Sequence, residues 1–250
     1  MNKETAAPPP PATPPRARRR PRLSAAVVED LVNMIVAGSY PVGTALPPEN
    51  MLCEMYGVSR TVVREATTAM IEKGLVVTQQ GRGTIVREDT AWNMLDPVIL
   101  SALFKGEDGL RYLDNLSKVR VLLESEMAAE AAEEGTEEQR AELAEQIDRL
   151  EGLVETPAAY GHEDLRFHDI IMRMSGNRLS KAIIDGIQSE ALRTHAYSGK
   201  PSIDHVKATQ ASHRKVYDAI MARDADAAGD AMREHISGSW DRRRARPKGY

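Results

Sequence analysis

Side chains suited to binding a metal ion fall on three segments in the second half of the sequence. Asp164 and His168 are four residues apart, which places both side chains on one face of a helix. His213 and His235 lie in two later segments with helical patterns. Carboxylate and imidazole groups bind divalent metals of intermediate softness, and helical bundles assemble such sites from several helices. The spacing alone leaves open the alternative that these are ordinary core or surface residues, which is our interpretation of His162, His195 and His205.

A segment with chemistry suited to nucleic acid runs from Gly57 to Gly83. Its pattern predicts a helix beginning at Ser59, whose hydroxyl is expected to cap the first turn, and then strands over 75–77 and 84–86. A helix followed by a basic hairpin is typical of a winged helix-turn-helix, in which the N-terminal end of the recognition helix meets base edges and phosphates. A merely solvated face is the alternative for two arginines on one helix. The residues predicted to face DNA are Arg60, Thr61 and Arg64 on the helix and Gln80, Gly81 and Arg82 at the hairpin tip.

The distribution of charge agrees with DNA binding by the first part of the chain. The 250 residues have a net charge of −4, but residues 1–88 hold eleven Lys and Arg against eight Asp and Glu, so this part carries +3 and the remainder −7. Positive charge therefore lies where nucleic acid is expected to bind. Cys53 is the only cysteine, which excludes an intrachain disulfide and fits a reducing cytoplasm. No apolar run approaches the roughly 20 residues that cross a bilayer, so we expect a cytoplasmic protein without a membrane partner.

The order of patterns and breaks predicts a mainly α fold with two domains. Residues 1–22 are rich in proline and arginine and are expected to be a disordered tail, either solvated or acting as an arm on phosphates, and 242–250 a solvated basic tail. Between them we predict a winged helix-turn-helix domain over 23–88, a linker over 89–108 and an all-α antiparallel bundle over 109–241. The predicted helices cover 23–37 and 49–56 in the first domain, and 110–133, 137–155, 158–174, 177–198, 203–222 and 224–243 in the second.

Four short runs in the first domain carry a family resemblance. GTALPPE (43–49), VSRTVVRE (58–65), KGL (73–75) and GRGT (81–84) resemble the GntR family of bacterial transcription regulators. In that family the start of the third helix and the tip of the wing meet DNA. The resemblance therefore implies a DNA contact from Ser59, in addition to Arg60, Thr61, Arg64 and Gly81.

Four runs in the second domain resemble the FCD effector domain of the FadR subfamily. They are D-x-x-x-H (164–168), SGN (175–177), SHR-x-x-x-DAI (212–220) and MR-x-HI (232–236). The resemblance implies that Asp164, His168, His213 and His235 bind a divalent metal, with zinc as the first choice and nickel and manganese compatible. It also places Arg120 near the effector pocket, while Asn177 either contacts the effector or caps a helix.

Together these features predict a ligand-responsive transcription regulator and no enzyme. A homodimer with twofold symmetry would present two recognition helices to a palindromic double-stranded operator. The run WNMLDPVIL (92–100) resembles the sugar-acid branch of the family, so we expect a repressor released by a small carboxylate such as galactonate or gluconate. The alternatives are a metal-dependent hydrolase, for which no carboxylate is placed as a general base, and an architectural DNA binder without an effector.

Overall fold

The structure is a computed structural model and describes residues 20–194, 197 and 201–245, with side chains from residue 23 onward. The predicted tail up to residue 19, the end of the basic tail from 246, and His195 lie outside the described residues. The chain divides into two compact units, one comprising the chain up to Leu31 with Tyr40–Ala91, and the other Val32–Ser39 with the chain from Trp92. No helix in the described part is long and apolar enough to cross a membrane.

Three helices and a hairpin form the first part of the chain. The helices are α1 (Arg20–Val36), α2 (Glu49–Tyr56) and α3 (Arg60–Glu72). The first helix begins at Arg20, three residues before the predicted start, whereas α2 has the predicted bounds. Gly57 ends α2 because it adopts a left-handed conformation, with φ of 62°, and its N–H donates to carbonyls of that helix. The buried face of α3 consists of Val62, Val63, Ala66 and Met70, so its basic residues lie on the opposite side.

The hairpin consists of two antiparallel strands, β1 (Val76–Gln79) and β2 (Gly83–Val86). Its register pairs Val77 with Ile85 and Gln79 with Gly83, so pairing continues past the predicted end of the first strand into polar residues. The segment before α2 also pairs with β2, since the N–H of Leu46 donates to the carbonyl of Thr84 at 2.8 Å. This third partner holds the hairpin on the helices, as in a winged helix-turn-helix.

The predicted linker contains a helix, α4 (Pro97–Lys105), which belongs to the second unit. Asp96 determines where it begins, because its carboxylate accepts the N–H of Val98 at 3.0 Å and of Ile99 at 3.3 Å, and Pro97 fits the first turn. Ile99, Leu100 and Leu103 are buried, so this part of the predicted linker packs as a helix.

The described part of the second unit contains six further helices, which form the bundle, and no β-strand. They are α5 (Gly109–Glu134), α6 (Glu137–Gly152), α7 (Pro157–Met174), α8 (Arg178–Ala191), α9 (Ile203–Met221) and α10 (Ala225–Arg244). Their inward faces form an apolar core that includes Phe167, Ile170, Val216 and Met232. The predicted fold class, a winged helix-turn-helix followed by a helical domain, is confirmed. The helix predicted over 224–243 is observed as α10, which continues to Arg244, so residues 242–244 of the predicted basic tail are helical.

A buried arginine fastens one end of the bundle. The Arg140 side chain in α6 is only 3% exposed. It donates a hydrogen bond to the carbonyl of Ala132 at 2.7 Å and another to the carbonyl of Ile220. Both carbonyls lie in the last turns of α5 and α9, and the carbonyl of Ile220 also accepts the N–H of Arg223 at 3.1 Å. One cation therefore satisfies the ends of two helices and complements their negative dipole ends.

Candidate metal and ligand site

Three histidines from three helices meet in the core of the bundle. His168 lies on α7, His213 on α9 and His235 on α10, and each is 3% exposed or less. Ligand atoms of the three rings all lie within 4.8 Å of one another, and the Nε2 atoms of His168 and His235 are 3.1 Å apart. Asp164 stands one turn before His168, with its Oδ1 3.4 Å from Nε2 of His213. The structure thus brings together three of the four residues predicted as metal ligands, and the fourth, Asp164, lies beside one of them.

Each histidine ring is held at its other nitrogen by a different group, none of which we predicted. His168 Nδ1 lies 2.8 Å from a carboxylate oxygen of Glu124. His213 Nδ1 lies 3.0 Å from the hydroxyl of Tyr160, and His235 Nδ1 lies 2.8 Å from the hydroxyl of Ser212. Such outer partners fix the orientation and the tautomer of a metal-binding imidazole.

The hydrogen-bond directions place a lone pair on every Nε2. The Tyr160 hydroxyl donates to Gln210 and the Ser212 hydroxyl donates to the carbonyl of Thr209, so both oxygens accept from the histidine beside them. The Glu124 carboxylate lies 2.8 Å from Nδ1 of His168 without hydrogen-bond geometry, and its negative charge favours the hydrogen on that nitrogen. A neutral ring with its hydrogen on Nδ1 has its lone pair on Nε2, so three lone pairs point to one place. His213 Nε2 has no hydrogen-bond donor among the described residues, although it is fully buried.

The electrostatics favour neutral imidazoles in this cluster. Burial lowers the pKa of His213 to about 3, although Asp164 opposes the shift, and burial also holds the pKa of His235 well below its ordinary value. Burial alone would raise the pKa of Glu124, but Arg120 and His168 outweigh it and lower that pKa to about 2. Neutral nitrogen donors beside carboxylates are the ligand set that a divalent ion of intermediate softness accepts, so the residues present fit the metal that the family resemblance implies.

A cavity of about 450 Å³ opens beside the cluster. Arg120, Asp164, His168 and His235 contribute to its wall. The charge of Arg120 is already paired: Nε donates to Glu124 at 2.6 Å, Nη2 to the same carboxylate at 3.2 Å, and Nη1 to the Tyr197 hydroxyl at 2.8 Å. The remaining lining includes polar residues that we did not single out, among them Tyr197, Thr209, Ser239 and Arg243.

Asn177 does not belong to this cavity lining. It precedes α8, where its side-chain oxygen accepts the N–H of Ser180 at 3.1 Å, and its side-chain nitrogen lies 3.4 Å from Glu130. Of the two roles considered for Asn177, the geometry supports the helix cap and gives no support to an effector contact. His205 is buried at the cavity wall and His162 is exposed at it, and neither belongs to the metal-ligand cluster.

The residues predicted to contact DNA are all exposed. Arg60 and Thr61 occupy the first turn of α3, and Arg64 lies one turn later with its Nε 2.9 Å from a carboxylate oxygen of Glu49. The expected Ser59 cap is wrong: Ser59 occupies the capping position, but its hydroxyl makes no capping hydrogen bond. At the hairpin tip, Gln80, Gly81 and Arg82 project between β1 and β2, and Gly81 has a φ of +76° that suits glycine.

Known protein families match both parts of the chain. The family described as "Bacterial regulatory proteins, gntR family" matches residues 23–86, and the FCD domain matches residues 115–238. The uncharacterized HTH-type transcriptional regulator YieP of Escherichia coli (strain K12) is 33% identical over 208 residues, covering 82% of this chain and 89% of that protein. The galactonate operon transcriptional repressor of the same strain is 28% identical over 215 residues, covering 85% and 93%.

Two further matches extend this picture. The HTH-type transcriptional repressor NanR of Salmonella newport (strain SL254) is 29% identical over 233 residues, covering 88% of this chain and 86% of that protein. A solved structure of Lar, which controls expression of the Listeria monocytogenes agr system, covers 88% of this chain and 96% of its own, with a TM-score of 0.56 at 16% identity, and shows the fold alone. These relatives are transcription regulators and not enzymes. The chain belongs to the GntR family of bacterial transcription regulators and carries an FCD domain as its helical half.

Proposed function

We propose that the protein is a cytoplasmic, ligand-responsive repressor that leaves its operator when a small carboxylate binds in the helical domain. The operator is a palindromic duplex bound by a homodimer, through the first turns of α3 and the hairpin tip. Two relatives named as repressors, one of a galactonate operon, support this direction of control and a sugar acid such as galactonate or gluconate as the ligand. The charge division between the two halves of the chain supports the placement of DNA.

The observation that carries the metal part of the proposal is the convergence of three histidine lone pairs in a buried site. Two Nε2 atoms at 3.1 Å with no hydrogen between them repel one another unless a cation lies close to both. We propose zinc as that cation, with nickel and manganese compatible. A divalent ion held by Asp164, His168, His213 and His235 supplies a Lewis acid for a ligand oxygen, provided that it accepts more than four ligands.

The chain's own residues prepare the site for an anionic ligand. Glu124 holds His168 in place and also neutralises Arg120, so both groups are fixed before a ligand arrives. Tyr160 and Ser212 fix the other two rings. Release from DNA requires that the ligand bind more tightly to the arrangement of the protein that does not bind the operator. A ligand with equal affinity for both arrangements does not change the equilibrium between them.

The proposal is tested with purified protein of known metal content. Galactonate and gluconate are screened by thermal shift, since a ligand of the native state raises the melting temperature by mass action, and each is then added to an operator gel shift. We expect an acid to stabilise the protein and release the DNA. His213→Ala should lose the metal and the response, whereas Lys215→Ala, at an exposed position of the same helix outside the cavity lining, should retain both. If no acid affects DNA binding, the proposal is contradicted and the alternative of an architectural DNA binder without an effector is favoured.

The DNA interface is tested separately by matched charge changes. Arg60→Ala removes an exposed guanidinium at the start of α3, and a good bidentate base contact is worth about 1–3 kcal/mol, which corresponds to roughly 5- to 150-fold in operator affinity. Arg111→Ala removes the same charge from an exposed position on α5. Equal operator affinity of the two variants would contradict the assignment of α3 as the recognition helix.

A further inference from the structure

The cavity wall contains an arginine whose position on the last helix aligns it with the metal-ligand cluster. His235, Ser239 and Arg243 follow at four-residue spacing along α10, so they share one face, and all three line the cavity. Arg243 therefore extends a row that begins at a histidine of the cluster. Its partly buried guanidinium lies 5.1 Å from the centre of the Tyr197 ring and donates a hydrogen bond to the Tyr197 carbonyl.

Arg243 has no carboxylate partner among the described residues, unlike Arg120 in the same wall and Arg244 beside it. Arg120 shares its charge with Glu124, and Arg244 lies 3.1 Å from Asp114. The carboxylate among the described lining residues is that of Asp164, which lies against His213 within the cluster. The wall around Arg243 thus presents a positive charge that the surrounding chain does not compensate. An anion is the ligand that such a charge attracts.

A second group in the same wall also lacks a partner. Thr209 on α9 is 4% exposed, and its hydroxyl has no hydrogen-bond partner among the described residues. A buried polar group without a partner costs free energy that a hydroxylated ligand at the cavity would offset. Thr209 therefore favours a ligand with hydroxyl groups between its ends.

The dimensions require a ligand of several carbons. Eight residues along a helix correspond to about 12 Å between the Cα atoms of His235 and Arg243. Long side chains on a helix generally lean toward its N-terminus, so the gap between the Arg243 guanidinium and the histidine cluster is expected to be several ångströms shorter. A two-carbon acid is too short to reach both ends, whereas an extended six-carbon chain has a suitable length.

We propose that the ligand of this site carries an anionic group at each end and hydroxyls between, with one anion at the histidine cluster and the second on Arg243. The class is a hydroxylated acid of about six carbons with a terminal carboxylate or phosphate. This inference rests on the proposed function and makes it narrower, because a sugar acid with one carboxylate leaves Arg243 unpaired. Arg243 is then the residue that determines specificity for the second anion.

The test compares acids that differ only at the far end. Gluconate, glucarate and 6-phosphogluconate share one chain but end in a hydroxyl, a carboxylate and a phosphate, and their dissociation constants are measured by calorimetry on the metal-loaded protein. We expect at least one of the two dianions to bind about 10- to 100-fold more tightly than gluconate, as a charge-assisted hydrogen bond implies. Which dianion is preferred identifies the terminal group.

Variants of Arg243 separate this preference from a general loss of binding. Arg243→Ala should bring the affinity for the acid with a second anionic group to within about twofold of that for gluconate, whereas Arg243→Lys should keep part of the preference because it keeps the charge. Arg244→Ala, which removes the same charge from the next residue, should bind like the wild type. Circular dichroism and metal content verify that each variant is folded. Equal binding of all three acids, or equal weakening of all three in Arg243→Ala, overturns the inference alone, while binding of no acid overturns the proposed function as well.

Discussion

The Glu124→Gln substitution is the sharpest probe of the site, because it keeps the size of a buried side chain and removes its charge. The Glu124 carboxylate is 1% exposed and accepts two hydrogen bonds from Arg120, at 2.6 and 3.2 Å. Its second oxygen lies 2.8 Å from Nδ1 of His168. A glutamine amide has a single acceptor oxygen, so at least one of these donors would face an N–H group and lose its partner.

Two effects of this change have separate magnitudes. Leaving one member of a buried ion pair uncompensated costs about 3–5 kcal/mol in the free energy of unfolding. At about 2–4 °C per kcal/mol for a protein of this size, the melting temperature should fall by roughly 6–20 °C. Loss of the partner that orients a metal ligand should also lower metal affinity by about 10- to 100-fold.

Thermal unfolding of metal-free and metal-loaded protein measures the first effect, and zinc titration against a competing chelator measures the second. Glu142→Gln is the matched control, since Glu142 pairs with Arg173 at 2.9 Å but is partly exposed, and such surface pairs contribute about 1 kcal/mol or less. If Glu124→Gln and Glu142→Gln melt alike and bind zinc alike, the reasoning about the buried carboxylate is refuted.

Three further predictions concern the hairpin, the pH response and a helix cap. Gly81→Ala should destabilise the hairpin by about 1 kcal/mol, because φ is +76° at Gly81 and the added carbon meets no crowding that would add to this cost. Chemical denaturation measures the effect, with Gly152→Ala as the control at a glycine that does not have a positive φ. The pKa values of His213 and His235 are lowered on folding, so the unfolded chain binds more protons than the folded one below about pH 6.5. The free energy of unfolding of the metal-free protein should therefore fall by about 1 kcal/mol per pH unit per histidine as the pH falls toward 3. Denaturation midpoints that do not change with pH would contradict this. Thr136→Ala removes one half of the capping box with Gln139 and should lower the free energy of unfolding by about 1 kcal/mol, as measured by urea titration. An unchanged urea midpoint would show that the cap does not stabilise the protein.

Local signals in the sequence account for what was predicted well. The bounds of α2 follow from Pro48 before it and Gly57 after it, two residues whose backbone preferences operate within one turn. The four metal-ligand candidates were found because Asp164 and His168 have helical spacing and because the family pattern joins them to the two later histidines. In both cases the information lies within a few residues or in a known motif.

Glu124 and Arg243 were missed because their roles depend on distant partners. Glu124 stands four residues after Arg120, a spacing that indicates an ion pair, but nothing near it shows that the pair is buried against His168. Arg243 lies in a run of arginines that resembles a solvated tail, and its contact with Tyr197 joins residues 46 apart. The predicted Ser59 cap was wrong although its signal is local. Serine is a favourable residue at the capping position, but its residue type alone does not direct its hydroxyl toward the N–H groups of the helix.

The buried arginine at one end of the bundle has a mechanical consequence for the other end. Arg140 fastens the final turns of α5 and α9, whereas the cavity is lined by Val206 and Thr209 near the start of α9 and by Arg243 in the last turn of α10. When two helices are held together at one end, a tilt between their axes moves their other ends apart. Val206 lies about 14 residues, or roughly 21 Å, from the pivot, so a tilt of about 10° moves it by nearly 4 Å. A small rotation at the fastened end would therefore produce a much larger displacement at the cavity than at the pivot.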